Sequence, residues 1–157
     1  LFIAVVDKFW FSTQNPRNKF TETNGTFAEF IDEYVRGVQR TMDMLGDLIG
    51  AEREKVAQGK FTYHAQYFHF LFQLLQYDPD AKEKLRNLVD GDYAYWRAAI
   101  QRAIATGELR EDVDVEDAVV MFRQVYMGLS FEMAFMGGLN TQRLAKHLHA
   151  VYSLLKR

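Results

Sequence analysis

Two ionisable side chains lie where the helical pattern of this sequence favours apolar residues. His64 falls in the middle of an apolar helix face, and Asp92 falls on the apolar stripe of a later helix. A buried histidine or carboxylate needs a partner, because burial without one is unfavourable. His64 is interpreted either as a hydrogen-bonding point for a ligand or as a core histidine bonded to a tyrosine or a backbone carbonyl.

Asp92 has three interpretations from the sequence. It is a second polar point for a ligand, or it pairs with His64 or Arg97, or it caps a helix that breaks at Gly91. Each interpretation places the carboxylate next to a different partner, so the side-chain geometry distinguishes them.

Motifs typical of enzymes do not occur in this sequence. It has no nucleophile elbow, no phosphate-binding glycine loop and no metalloprotease helix motif. Residues 64 and 69, and residues 147 and 149, carry the four histidines, and neither spacing puts a pair on one helix face. The sequence therefore predicts no catalytic residue, cofactor or metal site. A metal site assembled across helices, or an enzyme built on a helical bundle, is the weaker alternative.

Composition indicates one globular domain over residues 1–157 with an aromatic-rich core, since the chain has 13 Phe and 8 Tyr. A net charge of −2 is a poor match to nucleic acid, and zero cysteines exclude disulfides and thiol catalysis. No apolar run approaches the roughly 20 residues of a membrane span, and no signal peptide is recognisable. We expect a cytoplasmic protein without membrane association. Because the chain starts at Leu1 in mid-pattern, we expect a fragment or a trimmed chain.

Helical periodicity predicts an all-α bundle of about six helices, and no stretch has a convincing strand pattern. Predicted helices cover 1–13, 27–49, 61–77, 81–106, 115–136 and 141–156, while 51–60 fits either a helix or a loop. A capping box of Thr26 and Glu29 begins the second helix. Asp114 and Thr141 are the predicted caps of the last two helices.

The helix over 116–136 is apolar on two sides. Its apolar residues form two groups. The first is a stripe of Ala118, Val119, Phe122, Val125, Tyr126, Leu129 and Met133, and the second is a sector of Val120, Met127, Phe131 and Phe135. Such a helix is normally buried on two sides, by its own core and by a second copy of the chain. The last helix adds a narrow apolar seam. The predicted dimer interface is Phe122, Val125, Leu129, Leu144, Leu148, Val151 and Leu155. The alternative is a central helix of a monomeric bundle.

Three features make the chain resemble the C-terminal domain of TetR/AcrR transcriptional regulators. The opening LFIAVV resembles the helix after that family's DNA-binding helix-turn-helix. The GELR turn at 107–110, followed by Asp112-Val113-Asp114, resembles the turn before its penultimate helix. The last two helices resemble its dimerisation pair.

The resemblance implies a homodimer held by a four-helix bundle, and a pocket for a small, often hydrophobic effector that modulates DNA binding. DNA would be contacted only through a helix-turn-helix that these 157 residues do not contain. From their mid-face positions, the candidate ligand-binding residues are Phe30, Tyr34, His64, Tyr67, Phe68, Asp92, Trp96 and Tyr126. The alternative is a helical homodimerisation module that binds no small molecule.

Overall fold

A computed structural model describes residues 11–20, 25–48 and 63–157, with the side chains of 45–48 and 63–66 outside the description. The helices in these ranges are α1 (Phe11–Thr13), α2 (Pro16–Lys19), α3 (Phe27–Leu48), α4 (Tyr63–Tyr77), α5 (Ala81–Ala105), α6 (Val115–Ala134) and α7 (Thr141–Leu155). The described ranges contain no strand, and the all-α prediction is confirmed. Predictions for residues 1–10 and 49–62 lie outside the described residues.

Most predicted helix starts are confirmed by their caps. Glu29 accepts a hydrogen bond from the Thr26 N–H at 2.8 Å, and Thr26 Oγ1 accepts one from the Glu29 N–H at 3.2 Å. Asp114 accepts from the Asp117 N–H at 2.9 Å. The predicted Thr141 cap is wrong, because Asn140 accepts from the N–H of residue 143 and Thr141 is the first helical residue.

The short helix α2 occupies a stretch that the sequence marks only as a break. Pro16 begins it, and the side chain of Asn15 caps it. A Cβ at Gly37 would lie 2.0 Å from the Lys19 carbonyl oxygen, and one at Gly91 would lie 2.8 Å from Pro16 Cγ. Helices α3 and α5 therefore each carry a glycine where α2 packs against them, which allows a close backbone approach.

The core is an aromatic cluster centred on Trp96 of α5. Its indole stacks on Phe122 of α6 with ring centroids 4.9 Å apart. Tyr34 and Phe30 of α3 contact the same indole edge-on at 4.8 Å and 5.1 Å. Offset and edge-on ring pairs of this kind stabilise a core beyond their buried area. The cluster fixes α3, α5 and α6 against one another.

The GELR turn joins three helices at one end of the bundle. Gly107 ends α5 with a φ of +76°. The Glu108 carboxylate then accepts hydrogen bonds from the Phe27 N–H at 2.7 Å, the Ala28 N–H at 3.3 Å and the Tyr152 hydroxyl at 2.9 Å. A carboxylate at a helix N-terminus satisfies free N–H groups and complements the helix dipole. One side chain thus connects the start of α3 to the end of α7.

Replacing Glu108 with Gln should destabilise the fold by about 1–2 kcal/mol, because a charged acceptor of two helix N–H groups is lost. Urea unfolding followed by circular dichroism measures this change. Glu111→Gln is the matched control, since Glu111 is exposed in the same turn. Equal unfolding midpoints for the two variants would contradict this function of Glu108.

Candidate functional site

Three charged side chains from three helices meet inside the protein. Asp92 Oδ2 of α5 lies 3.7 Å from Lys19 Nζ of α2 and 3.4 Å from Arg123 Nε of α6. The side chains of Lys19, Asp92 and Arg123 are only 6%, 4% and 8% exposed. Charged groups are seldom buried to this extent unless they are paired. Here two cations share one carboxylate.

Aromatic rings surround the two cations. The Tyr126 ring centroid lies 5.6 Å from Lys19 Nζ and 5.5 Å from Arg123 Cζ, within the range of cation–π attraction. Burial raises the pKa of the Tyr34 phenol well above its ordinary value, and it also raises the pKa of Tyr67. Both phenols are therefore neutral near pH 7 and add no negative charge to the cluster.

Several buried polar atoms here have no hydrogen-bond partner among the described residues. They include Arg123 Nε and Nη1, Ser130 Oγ and Asp92 Oδ1. Arg123 Nε is close to the Asp92 carboxylate, but it is not aligned for a hydrogen bond. Burial alone would lower the pKa of Arg123, whereas the nearby carboxylate of Asp92 raises it, and on balance the pKa is raised. The guanidinium is thus a buried, charged group with unused donors.

A cavity of about 40 Å³ lies beside these groups. Since about 10–15 Å³ on this measure holds one water molecule, the space accepts a small polar group. Its lining combines polar side chains with apolar and aromatic ones: Gln14, Lys19, Thr41, Arg123 and Ser130, then Val38, Met42, Tyr67, Phe68, Tyr126 and Met127. This combination is typical of small-molecule sites.

The cavity includes some of the predicted ligand-binding residues. Tyr67, Phe68 and Tyr126 line it, and Asp92 lies behind it in the charged cluster. Phe30, Tyr34 and Trp96 instead interlock in the core, outside this lining, so they fill the core and do not border the cavity. The backbone of residue 64 lies in α4, while its side chain is outside the described residues.

The interpretations of Asp92 resolve in favour of ion pairing, but with other partners than expected. Helix α5 runs through Gly91 without a break, so Asp92 is not an N-cap. Arg97 pairs with Glu116 at the surface instead. Among the described residues, the partners of Asp92 are Lys19 and Arg123, and the sequence predicted neither. The predicted pair with His64 lies outside the described side chains.

Arg123 and Ser130 could have been found from the sequence by their positions on α6. They share a face of α6 with Val119 and Tyr126, at helical spacings of four and three, and that face is buried. Asp92 also needed a positive partner. No sequence pattern indicated Lys19, because its short helix depends on tertiary packing and not on a local motif.

The predicted dimer contacts need revision. Phe122, Leu144 and Leu148 have no exposed surface in one subunit, so a second copy cannot contact them. The other predicted contacts (Val125, Leu129, Val151 and Leu155) pack against the core with some surface exposed, and they stay predictions.

The side of α6 opposite the core carries an exposed stripe, which we call the outer face of α6. It consists of Val120, Met121, Gln124, Gly128, Phe131 and Phe135. Helix α6 is thus apolar on two sides. The residues of α6 that were predicted for the dimer interface lie on the side that packs against the core, not on the side that points away from it.

The described residues lack two further features. No group of three or more potential metal ligands of the His, Cys, Asp or Glu type lies together there. Within the same part of the chain, no helix is both long enough and apolar enough to cross a membrane.

Comparison with known families gave one match. The family described as tetracyclin repressor-like, C-terminal domain, matches residues 38–149, more than half of the chain. The chain belongs to this family. No curated protein and no solved structure matched it. The tetracyclin repressor-like match includes Asp92, Arg123 and most of the cavity lining, whereas Lys19 lies before the matched range.

Replacing Asp92 with Asn should destabilise this tetracyclin repressor-like domain by about 3–5 kcal/mol, because Lys19 and Arg123 would be buried without a counter-charge. Chemical denaturation measures the loss. The control is Asp90→Asn, an exposed position two residues earlier on the same helix, which should unfold like the parent protein. A stable Asp92→Asn protein would refute the role of this carboxylate as the shared counter-ion.

Proposed function

We propose that this chain is the effector-sensing and dimerisation domain of a transcriptional regulator. A small organic effector would occupy the cavity between α3, α4 and α6. The observation that carries this proposal is the partly polar cavity, with buried, unpaired donors on its wall, inside a domain of the tetracyclin repressor-like family.

The position of the cavity suggests how binding would be transmitted. Its lining combines Lys19 of α2, Thr41 of α3, Phe68 of α4 and Arg123 of α6. An effector that contacts all four helices would favour one arrangement of them over another, which is a population shift. Helix α2 would transmit the change out of the domain, because it is held by the ion pair and by close packing on glycines. A helix-turn-helix outside these 157 residues would receive the change.

The outer face of α6 is the proposed surface for a second copy of the chain. It exposes Val120, Met121, Phe131 and Phe135, and the exposed Leu154 of α7 adds a further apolar side chain. Apolar surface grouped along one helix is typical of an interface. In the middle of this face, Gly128 would allow a close helix approach.

The alternative is a domain that dimerises without an effector. The exposed face of α6 supports both proposals, whereas the cavity supports only the first. Thermal unfolding with small organic compounds separates them, because a ligand that binds the folded state raises the melting temperature. Failure of every compound tested would favour the alternative.

Replacing Gly128 with Glu should convert the dimer into a monomer without unfolding it. A Cβ at this position meets no atom within 4 Å inside the subunit, and Glu favours a helix more than Gly does. Size-exclusion chromatography with light scattering should give twice the 18.3 kDa chain mass for the parent protein and 18.3 kDa for the variant.

Ala94→Glu is the matched control, because it adds the same charge at an exposed position of α5. It should remain a dimer. A monomeric parent protein, or a dimeric Gly128→Glu variant of unchanged stability, would exclude the outer face of α6 as the interface. Substitution of Leu148 is unsuitable for this purpose, since its side chain is in the subunit core.

A further inference from the structure

We propose that the effector is an organic anion, whose carboxylate binds Arg123 and Lys19 at the polar end of the cavity. This inference rests on the proposed function and names the chemical class of its ligand. It is more specific than the small, often hydrophobic effector that the family resemblance implied.

The charges of the described residues are the first argument. Lys19 and Arg123 bring two positive charges to the cavity wall, and Asp92 supplies one negative charge. An unbalanced buried cation is unfavourable, and a carboxylate beside it would restore neutrality. A neutral ligand would remove water from the site without supplying that charge.

The free donors are the second argument. Arg123 is more than nine-tenths buried, and its Nε and Nη1 have no hydrogen-bond partner in the described part of the chain. A guanidinium presents its N–H groups in a planar fork that matches the two oxygens of a carboxylate. Asp92 contacts Arg123 at Nε without good alignment, so donor capacity remains for a second anion.

The rest of the lining indicates the shape of the effector. Arg123 and Ser130 lie seven residues apart on α6, which is about 10 Å along the helix axis. Tyr126 and Met127 lie between them in the sequence of α6, and Val38, Met42 and Phe68 also line the cavity. A carboxylate with a short apolar chain matches this mixed lining and the volume of about 40 Å³. Ser130 Oγ is then available to a second polar group.

The experiment uses matched anionic and neutral probes small enough for a cavity of about 40 Å³: acetate and propionate against acetamide and propionamide. Each amide keeps the shape of its acid and lacks the charge. Isothermal titration calorimetry and thermal unfolding at neutral pH should detect binding of at least one carboxylate at millimolar concentration. The corresponding amide should bind at least about tenfold more weakly.

Arg123→Met tests the residue assignment. It should weaken carboxylate binding at least about tenfold, because the fork is lost. The variant keeps the Lys19–Asp92 pair, whose charges balance, so the ligand-free protein should unfold at or above the melting temperature of the parent. Arg86→Met, at an exposed position on α5, is the control and should bind like the parent. A structural role alone would lower the stability of Arg123→Met and leave binding by folded protein unchanged.

Three results would overturn the inference. Amides that bind as well as the carboxylates would identify a neutral ligand class, and the proposed function would stand. Chloride or phosphate that stabilises the protein as much as the carboxylates would identify an inorganic anion site. No response to either carboxylate would exclude the assigned class. By contrast, a monomeric protein that responds to no compound would remove the proposed function itself.

Discussion

The attraction between the Asp92 carboxylate and two buried cations is the constraint on which this structure depends. It is the point where α2, α5 and α6 meet. Helix α2 has only four residues and cannot be stable by itself, so the ion pair and close packing on glycines hold it in place. The same contacts create the polar wall of the cavity. Any change in charge at that wall therefore acts directly on the position of α2.

A second polar junction, at Glu108, lies at the other end of α3 and is fully bonded. Between the two junctions the Trp96 cluster forms the aromatic core. Phe27, whose N–H group contacts Glu108, precedes the cavity residue Thr41 by fourteen residues, which is about 20 Å of helix. The domain thus has one end fixed by satisfied hydrogen bonds and one end where donors are unpaired. A ligand at the second end would supply partners that the buried donors there lack.

The sequence predicted what local interactions determine. Asp114 and the Thr26–Glu29 box are recognisable because a cap bonds within its own turn, and the long helices follow from their 3.6-residue period. It did not predict α2 or the partners of Asp92, because these depend on residues far apart in the chain. For α6, the periodicity predicted two apolar sides, but it did not determine which of them faces the core. An apolar seam has the same residue spacing whether it packs in the core of one subunit or at an interface between two subunits. Leu148 was therefore assigned to an interface, although the core buries it.

The buried charges favour a binding function over a structural one. An apolar set of side chains of similar volume would hold three helices together at least as well, because desolvation offsets most of the attraction in a buried ion pair. A cluster with two cations and one anion is less favourable still, and its surplus donors adjoin a cavity. Such a cluster would become favourable if an anion completed it. A ligand that supplied this anion would therefore stabilise the domain on binding. Occupancy of the cavity would in this way be linked to the arrangement of the helices.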